Sequence, residues 1–223
     1  MTTLGQPTTL SLSAAMREGS MAEHREAEGS LFMTELLDGR LDHEGYAAYL
    51  LRLRVVYAAL EAAVRERLDE PAVAAVHDPA LERLAAIDRD LAHWAPHRGA
   101  DGSRDVDSPA AEAYRTRLHG AGAWGGLLVA HHYTRYLGDL SGGQAIGRIL
   151  DRTFDLDGAG TSFYDFPAIP KPKPYKDAYR ERLDALDLSP GDVERVVGEV
   201  KVAFRLNQDL FTELGRDIDA YRR

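Results

Sequence analysis

The chain has 223 residues, a net charge of −9 at pH 7 and no cysteine. This length favours a single domain with a substantial core, and the missing cysteine excludes disulfides, thiolate metal ligands and a cysteine nucleophile. The negative charge argues against nucleic acid and anionic membranes as main partners.

The sequence predicts an all-α fold of about eight helices in a single compact domain. Residues 1–9 are expected to form a flexible N-terminal tail, and residues 10–223 the domain itself. Apolar periodicity and capping residues place the helices at about 11–28, 31–37, 42–68, 79–94, 108–119, 126–154, 174–186 and 190–214. The polar segments 96–107 and 156–172 predict loops. Neither strand hairpins nor internal repeats are evident, which favours helix-on-helix packing.

The first predicted helix carries a candidate metal ligand. Arg17, Met21, His24 and Glu28 share one face, with spacings of 4, 3 and 4 residues. Arg17 lies roughly 10 Å along the helix axis from His24, similar to the distance from a haem iron to a propionate. A neutral imidazole with an arginine at that distance suits haem. A solvated histidine in a charged helix is the alternative.

Two later helices carry polar residues on their apolar faces. Tyr57 lies in the stripe of the helix at 42–68, and Asn207 lies between Phe204 and Phe211 in the last helix. Buried phenol and amide groups need hydrogen-bond partners. They could therefore satisfy one another, or each could bond separately to nearby backbone.

The helix predicted at 126–154 carries four glycines within ten residues, Gly138, Gly142, Gly143 and Gly147, without a proline to end it. Each costs about 1 kcal/mol of helix stability relative to alanine, so the cluster indicates a structural or functional requirement for glycine. Gly138 and Gly142 share a face that could admit a flat ligand close to the backbone, and glycine pairs can kink a helix. Tight packing against another helix is the alternative.

The stretch HHYTRYLGDLSGGQ, at residues 131–144, resembles the signature of the haem oxygenases, in particular the soluble bacterial type. The resemblance extends more weakly from about Leu10 to Leu214. It implies a haem-oxygenase-like fold in which haem is sandwiched between the first helix and a kinked, glycine-rich distal helix. His131 and His132 are rival iron ligands. They lie on the same helix as the glycines, however, and one helix can hardly provide both the iron ligand and the distal face of the haem site.

The resemblance also implies a role for each candidate residue. His24 is expected to be the metal ligand. Further haem-binding residues are expected at Arg17, Glu28, Tyr133, Gly138, Gly142, Lys176, Arg180 and Phe204. A catalytic network that orders water above the iron is expected at Tyr57, Tyr114, Arg135, Asp139 and Asn207.

The implied reaction uses haem as both cofactor and substrate, with O2 opening the ring to biliverdin, CO and ferrous iron. Electrons would come from a soluble donor of the ferredoxin or flavin reductase type. No apolar run approaches the roughly 20 residues of a membrane span, and neither a signal peptide nor a membrane anchor is recognisable. We therefore expect a cytoplasmic enzyme without a membrane anchor.

A haem carrier or storage protein on the same fold is the main alternative, because it would need His24 but not Asp139. Two other classes lack their required residues. A thiaminase-like hydrolase needs the missing cysteine, and a di-iron bundle needs a glutamate three residues before a histidine.

Overall fold

The computed structural model describes residues 10–97 and 105–223 and confirms an all-helical fold. The predicted tail at 1–9 and part of the predicted loop at 96–107 lie outside the described residues. In the described ranges the α-helices are α1 (Leu12–Gly19), α2 (Met21–Glu28), α3 (Leu31–Leu37), α4 (His43–Arg65), α5 (Pro71–Val76), α6 (Leu84–Trp94), α7 (Pro109–Ala121), α8 (Gly125–His132), α9 (Gln144–Phe154), α10 (Pro172–Asp184), α11 (Pro190–Arg216) and α12 (Ile218–Tyr221).

Helix α4 forms the centre of the core and begins where the sequence predicted. The Asp42 carboxylate accepts a hydrogen bond from the Gly45 backbone N–H at 2.8 Å, which satisfies one of the free donors of the first turn. The predicted apolar stripe is buried throughout: Leu50, Leu53, Val56, Tyr57, Leu60 and Val64. This stripe packs against α6 and α7, so Tyr57 enters the interior as a polar group on an apolar face.

The first predicted helix is divided in two. Ser20 has φ −116° and ψ 12°, and its hydroxyl donates to the Met16 carbonyl at 2.8 Å. A serine hydroxyl that bonds four residues back competes with the helical backbone, which explains the break. Gly19, just before it, lies so close to α11 that a Cβ there would be 2.5 Å from Val197 Cγ1. Arg17 and His24 therefore lie on separate helices, α1 and α2.

The helix predicted to begin at Pro79 begins instead at Leu84, after a single 3₁₀ turn at Pro79–Leu81. The cause is the buried carboxylate of Glu61, on α4, which accepts from the backbone N–H groups of Arg83 and Leu84 at 2.6 and 2.9 Å. A cap from another helix leaves no signal in the local sequence. The short helix α5 was not predicted either, because six residues are too few for a periodic pattern.

The glycine-rich helix continues through all four glycines, as predicted. Between α8 and α9 the backbone forms two π-helical segments, at Tyr133–Leu137 and Asp139–Gly143. Such wide turns are uncommon and are frequent at functional sites. We call the continuous stretch Gly125–Phe154 the distal helix.

Helix α11 contacts both the first helices and the distal helix. Ser189 caps it, accepting from the Asp192 backbone N–H at 3.2 Å. Val200, Phe211 and Leu214 are buried as predicted, whereas Phe204 is half-buried because its ring faces α2. No helix in the described part of the chain has the length and apolar content that crossing a bilayer requires.

Helix α11 also carries a buried carboxylate that joins three helices. Glu199 accepts from His131 Nε2 at 2.8 Å and from Arg117 Nε at 2.7 Å. Burial raises the pKa of the Glu199 carboxyl, but the hydrogen bonds from His131 and Arg117 outweigh it and hold that pKa at about 2. The ionised carboxylate therefore contributes to the stability of the fold.

We expect Glu199→Gln to lower the free energy of unfolding at pH 7 by about 1–3 kcal/mol, since the buried His131 loses a charged acceptor. A pKa lowered on folding gives stability that is full above the unfolded value of 4.5 and is lost as the pH falls towards about 2. The difference between variant and wild type should therefore shrink from pH 5 to pH 3 in urea titrations. A constant difference over that interval would contradict the role assigned to the carboxylate.

Candidate functional site

His24 lies on α2 with its side chain about half exposed, at 51%. Its Nδ1 atom is 3.5 Å from Glu28 Oε2, and the Phe204 ring packs edge-on against the imidazole, with centroids 5.4 Å apart. The carboxylate favours a proton on Nδ1, which leaves Nε2 with a free lone pair. His24 is therefore accessible from solvent, and its imidazole is a candidate metal ligand.

The four glycines between positions 138 and 147 of the distal helix have two different functions. A Cβ built on Gly138 or Gly142 meets no heavy atom within 4 Å, so these two expose their backbone to open space. A Cβ on Gly143 or Gly147 would instead lie 2.9 or 3.1 Å from the Tyr164 ring. The second pair serves close packing, the alternative raised by the sequence, and the first pair forms an open cradle.

Beside this cradle, four of the predicted catalytic residues form a continuous hydrogen-bonded network. Arg135 donates from Nη1 to Asn207 Oδ1 at 2.6 Å and from Nε to the Tyr57 hydroxyl at 3.1 Å. The Tyr57 hydroxyl in turn donates to Asp139 Oδ2. Arg135 Nη2 is 3.9 Å from Asp139 Oδ1, too far for a direct hydrogen bond. Asp139 is thus the terminal acceptor, with Oδ1 able to hold a further donor such as water.

The network is buried, and this sets its electrostatics. Burial raises the pKa of the Asp139 carboxyl, and the charge of Arg135 and the hydrogen bond from Tyr57 partly offset this. Burial lowers the pKa of Arg135, but the surrounding tyrosines and Asp139 outweigh it, so the pKa is raised and Arg135 stays charged. A fixed cation therefore faces a carboxylate whose proton affinity is higher than usual, which suits transfer of a proton.

Tyr114, the fifth residue predicted in the network, lies close by but is not hydrogen-bonded to it. Its ring packs against His131 with centroids 5.5 Å apart, and burial raises the pKa of its phenol to about 12. Among the described residues its buried hydroxyl has no hydrogen-bond partner. A buried hydroxyl of this kind requires a bound polar group, so Tyr114 fits a site that holds water.

The predicted basic residues lie around the opening of the cradle. Lys176 Nζ donates to Ser141 Oγ at 2.9 Å, which connects α10 to the distal helix. Arg180 forms an ion pair with Asp177 at 3.0 Å and remains partly exposed. Burial raises the pKa of the Tyr133 phenol, and the charges of Arg180 and Arg17 oppose this, which places both cations near that phenol. This edge is suited to binding carboxylates.

The sequence profile described as Heme oxygenase matches residues 10–213. The chain belongs to the haem oxygenase family. Human Heme oxygenase 1 is 39% identical over 207 residues, covering 91% of this chain and 71% of that protein. The Heme oxygenase of Porphyra purpurea is 37% identical over 211 residues, covering 93% of this chain and 88% of that protein.

Solved structures agree with this family membership. Heme oxygenase-2 from Synechocystis sp. PCC 6803, solved in complex with heme and NO, has a TM-score of 0.89 and 34% identity, covering 95% of this chain and 88% of that chain. Heme oxygenase-1 from the same cyanobacterium, in complex with heme, has a TM-score of 0.88 and 34% identity, covering 95% and 96%. The predicted fold and activity, degradation of haem to biliverdin with haem as cofactor and substrate, are confirmed, and the carrier alternative is not favoured.

The family's substrate fits the residues that are present. The open backbone at Gly138 and Gly142 would accommodate a flat ring that a Cβ would obstruct. An accessible imidazole at His24 and cations around the cradle match an iron centre and anionic propionates.

The rival histidines, His131 and His132, each have a hydrogen-bond partner in the core of this haem oxygenase. His131 is bonded to Glu199, and His132 Nδ1 lies 2.8 Å from the Tyr179 hydroxyl. Both are buried, and burial lowers the pKa of each imidazole, to about 3 for His132. They are neutral packing residues of the core, which leaves His24 as the accessible candidate for the iron.

Several contributing residues were missed by the sequence reasoning. Glu199 had a usable signal, because it lies three residues after Val196 and one before Val200 on the apolar face of α11. Tyr164, which packs on the second glycine pair, comes from a predicted loop and had no such signal.

Proposed function

We propose that this haem oxygenase binds haem between α2 and the distal helix, with His24 on the iron, and opens the ring with O2 in the cytoplasm. The supporting observation is the open glycine backbone directly beside the Tyr57–Asp139–Arg135–Asn207 network. Relatives of the same fold were solved with haem bound, one of them also with NO, a diatomic ligand.

Bound haem supplies the redox chemistry, and the chain's own residues direct it. His24, with its imidazole oriented by the Glu28 carboxylate, would hold the iron without the strong electron donation of a thiolate. Arg135 orients the Tyr57 hydroxyl, which fixes Asp139 through Oδ2. Asp139 Oδ1 then holds a water molecule that delivers a proton at the distal face.

The open backbone at Gly138 and Gly142 would let the ring lie against the distal helix, and this contact would exclude water from the covered face. Arg17, Tyr133, Lys176 and Arg180 bind the propionates and fix the rotation of the ring. That rotation determines which edge of the ring faces the proton-delivering water. These residues therefore determine the position at which the ring is opened.

Electrons come from a soluble donor of the ferredoxin or flavin reductase type. Because the chain is acidic overall, an acidic donor requires a local basic surface. Arg17 and the bases between residues 171 and 180 form the proposed surface, next to the propionates.

A haem titration of the purified protein tests the binding proposal. We expect one haem per chain and an absorption spectrum typical of a histidine-ligated iron. Substoichiometric, non-saturating binding would contradict it.

Replacing Lys176 and Arg180 together by alanine should change the mixture of biliverdin isomers more than the affinity for haem. Each partly exposed ion pair contributes only about 0–1 kcal/mol, whereas the iron bond and the buried ring provide most of the binding. Chromatography of the product measures the isomers. The control is Lys173→Ala, because Lys173 lies on the same helix but is 87% exposed. An unchanged isomer ratio with greatly weakened binding would contradict the proposed orientation.

A further inference from the structure

Helix α2, which carries His24, has very little apolar contact with the core. Of its eight residues, all of them described, Ala27 is the only one that is buried. The break at Ser20 precedes the helix and Gly29 follows it, so neither end is continued by a neighbouring helix. Burial of one methyl group cannot fix a helix in place, so other contacts must hold α2.

One turn of α11 supplies those contacts. Gln208 Nε2 lies 3.3 Å from the backbone carbonyl oxygen of Glu23 and 3.1 Å from Glu26 Oε2. The two N–H groups of one amide are thereby both used, by acceptors that lie one residue before and two residues after His24. Arg205 adds a weak ion pair with Glu23 at 4.0 Å, and Phe204 contacts the His24 ring itself.

The same turn of α11 also reaches the distal network. Asn207, adjacent to Gln208, accepts from Arg135 at 2.6 Å. Two consecutive side chains thus connect to opposite sides of the haem site, Asn207 to the distal network and Gln208 to the proximal helix. A displacement of this turn would move both the distal network and helix α2.

We infer that Gln208 is a positioning residue for the iron ligand: it holds α2 against α11 and so sets the position of His24 relative to the distal network. Arg205 assists, but an exposed pair at this distance contributes little. The inference rests on the proposed role of His24 as axial ligand. It adds an outer contact that acts through the backbone of α2, in addition to the contact of Glu28 with the imidazole.

The test compares three substitutions of one residue. Gln208→Leu removes the amide, Gln208→Glu replaces its donors by an acceptor that faces two acceptors, and Gln208→Lys keeps a donor for both. Gln208 is only half-buried, so all three variants should fold, which circular dichroism would check. Asp209→Asn, at the exposed neighbouring position, is the matched control.

The first measurement is amide hydrogen exchange in the haem-free protein. Loss of a hydrogen bond typically changes a local equilibrium by about fivefold, so residues 24–28 should exchange about fivefold faster in Gln208→Leu and Gln208→Glu. Gln208→Lys and Asp209→Asn should stay close to the wild type. Exchange in α2 that is the same in all variants would overturn the inference.

The second measurement is the iron–histidine stretching band in resonance Raman spectra of the ferrous haem complex. We expect it to broaden and shift to lower frequency in Gln208→Leu and Gln208→Glu, and to recover in Gln208→Lys. Faster exchange without any change in this band would overturn the inference, because α2 would be loosened without moving the ligand. If His24→Ala retained the band, the ligand assignment itself would be wrong and the inference with it, although the exchange result would stand.

Discussion

His24→Ala is expected to lose more than about 100-fold in biliverdin formation, because even outer contacts of metal ligands are typically worth about 10–100-fold. The fold should survive. The side chain is 51% exposed, and exposed substitutions typically change stability by no more than about 0.5 kcal/mol. The variant should still take up haem weakly through the apolar ring, with an altered absorption spectrum. Added imidazole should restore part of the histidine-ligated spectrum by occupying the vacated position.

The matched control is His43→Ala, since His43 also lies at a helical position with an exposed side chain, at 63%. It should leave the haem spectrum and turnover unchanged. A histidine-ligated spectrum in His24→Ala without added imidazole would refute the assignment. His131 and His132 would then have to leave their partners Glu199 and Tyr179 to bind iron.

Asp139→Leu is expected to bind haem with nearly wild-type affinity and to yield at least about tenfold less biliverdin. Groups that deliver protons typically contribute about 10²–10⁴-fold to a rate, and Asp139 is the terminal acceptor of the distal network. Haem affinity should change little because the contacts to iron and propionates remain. The measurement is the yield of biliverdin per haem consumed, together with the haem dissociation constant.

Two further variants distinguish the contribution of the Asp139 carboxylate from that of the Tyr57 hydroxyl that donates to it. Tyr57→Phe removes the hydroxyl that donates to Asp139 but leaves the carboxylate, so its yield should fall less than that of Asp139→Leu. Asp139→Asn keeps one oxygen acceptor and should lie between the wild type and the leucine variant. Wild-type yields from Asp139→Leu would show that the carboxylate is dispensable. Direction of the reaction would then have to come from the glycine backbone alone.

The elements that the sequence predicted well are those with local signals. Asp42 and Ser189 lie before apolar periodic runs, and each caps its helix as expected. The distal helix could be predicted to continue because its apolar pattern resumes at Ala145 after the glycines. The resemblance over residues 131–144 then identified which polar side chains of this helix to examine.

The elements that were predicted less well depend on contacts between distant parts of the chain. The Glu61 carboxylate caps the start of α6 although it lies 22 residues before Arg83, from whose backbone N–H it accepts, and no local sequence pattern encodes this contact. The break at Ser20 depends on a backbone hydrogen bond and on the close approach of Gly19 to Val197. Gln208 reaches α2 across 185 positions of the sequence, so its role becomes evident only from the packed structure.

The most direct test of the account is a single-turnover experiment on the haem-loaded wild-type protein, with a reductant and air. We predict that the Soret band disappears while biliverdin and CO are formed in about equal amounts with the haem consumed. A haem spectrum that persists through repeated reduction without any pigment would contradict the account.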